Sequence, residues 1–196
     1  MTRTPLWAAE HLTPDRLRAA AALPRKNSFH AEAALPAGER AELADYAGSG
    51  YDRGHMAPDG DMPDAQAEGE SFSLANVVPQ NAHLNRGLWA RIEEAVRGLA
   101  GRDGEIYVVT GPMFRGESLK ALNGRVLVPT AVYKAVYDPK LGQAGAYLAE
   151  NADDAGLREV SIAALREESG IDPFPGLLEA AKAQAMDLPD PTAAGR

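Results

Sequence analysis

The sequence predicts an α+β fold with a central, mostly antiparallel sheet and flanking helices. The first reason is a set of β-branched and aromatic runs, "EIYVVTGPMF" (105–114) and "VLVPTAVYKAVYDP" (126–139), that suit sheet-centre strands. The second is one long amphipathic stretch, "HLNRGLWARIEEAVRGL" (83–99), in which Leu84, Leu88, Ile92, Val96 and Leu99 recur at helical spacing. The third is order: strands pair mostly with neighbours, and helices are inserted or appended.

Along the chain, residues 6–12 read as a strand ended by Thr13-Pro14, and 15–23 as a short helix or turn. The stretch 24–50 is rich in Ala, Gly and Pro and reads as irregular, with a short strand around 28–31. Residues 51–57 form a strand that enters a loop of Asp, Gly and Pro, and "SFSLANVVPQ" gives another over 71–78, closed by Pro79. "GAYLAEN" (145–151) adds a further strand, and 160–168 and 177–185 read as C-terminal helices. Residues 1–186 are expected to form one domain and 187–196 a flexible tail.

Composition sets limits. With 196 residues and 45% hydrophobic content, one domain can bury a full core. No apolar run reaches the roughly 18 residues needed to span a bilayer, so no membrane partner is expected. There is no cysteine, so a metal would need oxygen or imidazole ligands. The formal net charge of −8 argues against a protein that coats nucleic acid by bulk electrostatics. A few arginines in a cleft can still outweigh a remote acidic surface.

Two segments carry candidate chemistry. In "SGYDRGHMAPDGDM" (49–62), alternation along a strand turns Arg53 and His55 to one face. Further on, Asn85, Trp89, Glu93 and Arg97 follow at four-residue intervals and stack on one side of a helix, beside its apolar stripe. His55 offers a neutral imidazole as general base, Asn85 a hard carbonyl ligand for Mg²⁺, and Arg53 a fork for phosphate oxygens. Taken singly, each has an ordinary structural explanation. A strand-end histidine is usually structural, an asparagine in a first helical turn is a cap or solvated, and Trp89 suits a core. Glu93 and Arg97 equally make a surface i,i+4 pair. Asp59, Asp61 and Asp64 fail the EF-hand spacing, since Pro63 stands at the third ligand position, and are expected to form a solvated loop.

Together, "GSGYDRGHMAP" and "ESFSLANVVPQNAHLNRGLWARIEEAVR" resemble the DNA/RNA non-specific endonucleases of the ββα-metal class. "TPLWAAEHLTPDRL", "IYVVTGPMF" and "SIAALREESGIDPFPGL" extend the likeness over nearly the whole chain up to about Leu178. The resemblance implies a ββα-metal catalytic core and cleavage of DNA and RNA phosphodiesters with little sequence preference, leaving 5′-phosphate and 3′-hydroxyl ends. It implies Mg²⁺, with Mn²⁺ as a substitute, His55 as general base and Asn85 as the direct metal ligand. Glu93 would hold the metal through water, and Arg53, Arg97 and Arg25 would face phosphate. Asp52, Asn76 and Gln80 would form the supporting polar network. Further implied partners are a second copy of the chain and an inhibitor or immunity protein. The family's secreted bacterial members imply a secreted or periplasmic place, with the export signal outside this sequence. Two other readings stay open: a nucleic-acid-binding or partner-binding module without turnover, and a nuclease toxin neutralised by an immunity partner.

Overall fold

The computed structural model describes residues 2–193. Its centre is a five-stranded sheet in the order β1-β4-β7-β8-β9, formed by β1 (Ala8–Leu12), β4 (Ile106–Met113), β7 (Ala131–Asp138), β8 (Gln143–Glu150) and β9 (Leu157–Val160). Every neighbouring pair is antiparallel. A separate antiparallel pair joins β2 (Tyr51–His55) to β3 (Val77–Asn81), and a small one joins β5 (Ala121–Leu122) to β6 (Val126–Leu127).

The helices are α1 (Pro14–Ala21), α2 (Leu43–Tyr46), α3 (Ala65–Ser71), α4 (Ala82–Leu84), α5 (Ala90–Asp103), α6 (Ile162–Ser169) and α7 (Glu179–Lys182). A π-helical turn, Asn85–Trp89, joins α4 to α5.

Alternation along β4 decides which side each helix covers. Ile106 and Val108 join Ile92, Val96 and Leu99 of α5 in one core cluster. Val109 and Met113 turn to the other face and pack with Ile162 and Leu165 of α6. A third cluster, with Tyr46, Leu74, Val77 and Val126, underlies the β2–β3 pair. The sheet therefore lies between two helical layers, and α5 presents its outer side towards β2.

Several expectations need correction. The strand placed over 71–78 is the end of α3, a 3-10 turn at Leu74–Asn76, and then β3. Asp64 starts α3 by accepting hydrogen bonds from Gln66 N and Ala67 N. Pro79 does not close β3; it lies inside the strand, opposite Arg53. β2 is the only strand paired with β3 among the described residues, so the missing N–H of proline interrupts no second ladder. The short strand around 28–31 is a single bridge between His30 and Ser73. β9 was not anticipated; only its last residue, Val160, falls in the helix placed over 160–168, which forms as α6, and the helix placed over 177–185 shortens to α7. Met186 and Leu188 are buried against the sheet, and the Tyr147 hydroxyl donates to Pro189 O. The last part of the segment read as a tail, 194–196, lies outside the described residues.

Candidate active site

β2, the π-turn, the first turn of α5 and the loop before α2 surround a cavity of about 410 Å³. Its wall includes Arg53 and His55, as strand alternation requires. Asn85 and Glu93 face it from the helix. Their convergence depends on the π-turn. At about 100° per residue, eight residues of α-helix would leave Glu93 roughly 80° from Asn85. One extra residue in the turn restores the angle of seven, about 20°. Trp89 lies in the core at 1% exposure, as its structural reading expected, and does not join the polar stripe.

His55 is buried between two rings, with Phe29 at 5.2 Å and Phe72 at 4.9 Å between centroids. Its Nε2 is buried and has no hydrogen-bond partner among the described residues. Burial pushes its pKa down to about 4; Asp59 opposes that shift and Arg25 adds to it. The imidazole is therefore neutral at pH 7. Glu93 is pushed up to about 7, chiefly by burial, while Lys134 draws it back down.

Asn85 is held by its amide: Nδ2 donates to Asp52 Oδ2 at 2.9 Å. Arg86 clamps the same carboxylate with two bonds of 2.7 and 2.6 Å, and these donors hold Asp52 below the usual carboxylate range against the cost of burial. The Asn85 carbonyl oxygen has no hydrogen-bond donor among the described residues. A hard oxygen donor fixed by its own amide, with a carboxylate on the same cavity wall, fits an oxygen-seeking divalent cation that keeps most of its waters. No group of three or more His, Asp or Glu suited to a metal forms among the described residues.

Asn76 ties down the chain after His55: Oδ1 accepts from Ala57 N, and Nδ2 donates to Ala57 O and Ser71 O. Gln80 is fully buried, with neither amide atom paired among the described residues, and packs against Gly54. Arg25 lines the cavity and pairs with Asp59 at 3.5 Å. Arg97 is not on the cavity wall; its guanidinium bonds Asp61 at 3.0 Å. The acidic loop is not solvated as expected. Asp61 is buried, and Asp59 faces the cavity.

Sequence reasoning missed Asp59, Arg86 and Phe29 at this site. Arg86 sits beside Asn85, and that adjacency to a candidate ligand was the available signal. Phe29 carried none, because it lies in a stretch without periodicity.

A model of the DNA/RNA non-specific endonuclease family matches residues 1–180. This chain belongs to that family. Nuclease C1 of Cunninghamella echinulata var. echinulata is 40% identical over 150 residues, covering 70% of this chain and 60% of that protein. The mitochondrial nuclease EXOG of Danio rerio is 36% identical over 207 residues, covering 95% of the chain and 59% of that protein. The chain thus spans about three-fifths of the length of these relatives. A crystal structure of an EndoG/EndoGI complex, described as giving the mechanism of EndoG inhibition, superposes with a TM-score of 0.80. It has 26% identity and covers 92% of this chain and 82% of that one. The antiparallel sheet and mixed composition agree with the α+β, ββα-metal architecture expected from the sequence.

The expected secreted or periplasmic bacterial location is overturned. The Danio rerio relative is a mitochondrial nuclease, and so are matched relatives from Saccharomyces cerevisiae and Homo sapiens; none of these three is a secreted bacterial protein.

Proposed function

We propose that this protein is a divalent-metal-dependent endonuclease that hydrolyses phosphodiester bonds of DNA and RNA with little sequence preference. The observation that carries the proposal is the buried, unpartnered, neutral His55 on the same cavity wall as Asn85, Glu93 and Arg53. Family membership supports the reaction class. Residues 1–186 are taken as one nuclease domain.

His55 accepts a proton from water on the cavity side of its ring as that water attacks phosphorus in line with the 3′ oxygen. The P–O3′ bond breaks, giving a 5′-phosphate, and the departing oxygen takes up a proton from solvent water to become a 3′-hydroxyl, while protonated His55 returns its proton to solvent. Arg53 and Arg25 bind non-bridging oxygens and offset the negative charge of the phosphate. Asn85 Oδ1 would hold Mg²⁺ or Mn²⁺ directly, and Glu93 through water. When bound, the metal supplies Lewis-acid stabilisation of charge on the phosphate. Asp52 keeps the Asn85 amide turned so that its carbonyl stays free. Indifference to the sugar follows if contacts fall on the backbone and avoid base edges and the 2′-hydroxyl.

The inhibited complex of the related EndoG supports a protein inhibitor as a partner class for this chain as well. A homodimer is the proposed assembly, to be read by sedimentation equilibrium. Supercoiled plasmid and structured RNA, incubated with Mg²⁺ and then with EDTA, test the activity. Degradation of both with Mg²⁺ and of neither with EDTA is expected. Intact substrate with every divalent metal tried would leave a binding module without turnover.

A further inference from the structure

We propose that Phe29 is a positioning residue for the phosphate clamp and the base together: its ring carries the Arg53 guanidinium and braces the His55 imidazole. The inference rests on the reading of Arg53 and His55 given above. Arg53 Cζ lies 4.4 Å from the centre of the Phe29 ring. Its guanidinium has no hydrogen bond or salt bridge among the described residues, although Asp52 is its chain neighbour and is taken by Arg86. The aromatic face is what holds it. A cation stacked this way keeps every N–H donor free in its plane, the state a phosphate-binding arginine needs before substrate arrives.

The ring itself is fixed from two sides. His30 N donates to Phe72 O and Leu74 N donates to His30 O, so the chain around Phe29 is tied to the segment after α3. Phe72 then meets Phe29 edge-on at 4.9 Å and meets His55 edge-on at 4.9 Å. With Phe29 and His55 5.2 Å apart, three rings form a closed triangle, and Arg53 lies over its half-buried member. Phe72 and Met56 are core residues at 0% exposure, so this side of the triangle is rigid. Phe29, on an irregular segment, is the only member of the triangle that touches both Arg53 and His55.

Two measurements test this. In the wild-type protein, NMR should show the Arg53 Hδ and Nε–H protons displaced upfield by the Phe29 ring current. Random-coil shifts there would overturn the proposal without any variant. In kinetics, Phe29→Leu keeps apolar bulk but removes the ring face. It should lower kcat/KM about tenfold, with a raised KM, and should shift the His55 ring-proton resonances. Phe29→Tyr keeps the face and should remain within about twofold of wild type. A merely structural residue would instead lower Tm in both variants and leave the kcat and KM of the folded protein unchanged. Phe29→Leu with wild-type kcat and KM, while His55→Ala is inactive, would overturn the role of Phe29 and leave the nuclease reading standing. Full activity in His55→Ala would overturn the nuclease mechanism itself, and the ring-current measurement would still judge the stacking.

Discussion

Gly54 lies flush against the side chain of Gln80. A β-carbon at position 54 would sit 1.9 Å from Gln80 Oε1 and 2.6 Å from Gln80 Cβ. Gln80 is fully buried on β3, beside the strand that carries Arg53 and His55, so it cannot swing into solvent. The glycine between the arginine and the histidine is therefore required by a neighbour's side chain, at an ordinary backbone conformation.

Gly54→Ala should accordingly cost about 1–3 kcal/mol, as overpacked sites do, and should displace Arg53 and His55 with the strand. Adding Gln80→Ala should recover most of that loss, because it removes the atoms in the way along with the two unpaired polar atoms of one buried amide. Urea denaturation of the two single variants and the double variant reads the coupling.

Metal affinity should depend on Asn85 directly and on Asp52 through it. Asn85→Ala is expected to abolish measurable Mg²⁺ binding in calorimetry. Asp52→Ala should weaken it by roughly 10- to 100-fold, the range seen when a ligand loses its orienting partner. Unchanged titrations in either variant would contradict the arrangement.

Stability should fall on the acid side through His55. Its pKa in the folded protein, about 4, lies below the ordinary 6.5, so the unfolded chain binds the proton more readily. The contribution of the neutral ring is complete above pH 6.5 and is lost as the pH falls from 6.5 to about 4. Full loss amounts to roughly 3 kcal/mol. His55→Phe, which suits the aromatic surroundings, should flatten the stability profile across that window.

Arg97 should behave as a structural residue. Its guanidinium bonds the buried Asp61, away from the cavity wall. Arg97→Ala is expected to lower stability by about 2 kcal/mol by stranding that carboxylate, with little change in KM for nucleic acid. A large rise in KM at unchanged stability would restore the phosphate-facing role implied by the family resemblance.

How much of this was legible depended on periodicity. The apolar stripe of α5 was readable because it repeats at helical spacing, and β4 and β7 because they are runs of β-branched and aromatic residues. The placement of Arg53 beside His55 followed from strand alternation. The convergence of Asn85 and Glu93 was expected from four-residue spacing but is produced by the π-turn, whose extra residue leaves no mark in an i,i+4 pattern. α3 was missed, with only its last residue, Ser71, read as the start of a strand, although Asp64 before "AQAEGE" was a helix start. Phe29 and Asp59 act through contacts across space from segments without a repeat, so no local pattern could single them out.

The central claim is that His55 is the base of a phosphodiester hydrolysis, and plasmid and RNA cleavage by His55→Ala tests it most directly. With Mg²⁺ present and the fold intact by circular dichroism, the account predicts loss of nearly all cleavage of both substrates and unchanged Mg²⁺ binding. Cleavage at the wild-type rate by the folded variant would contradict it and place the base on another residue.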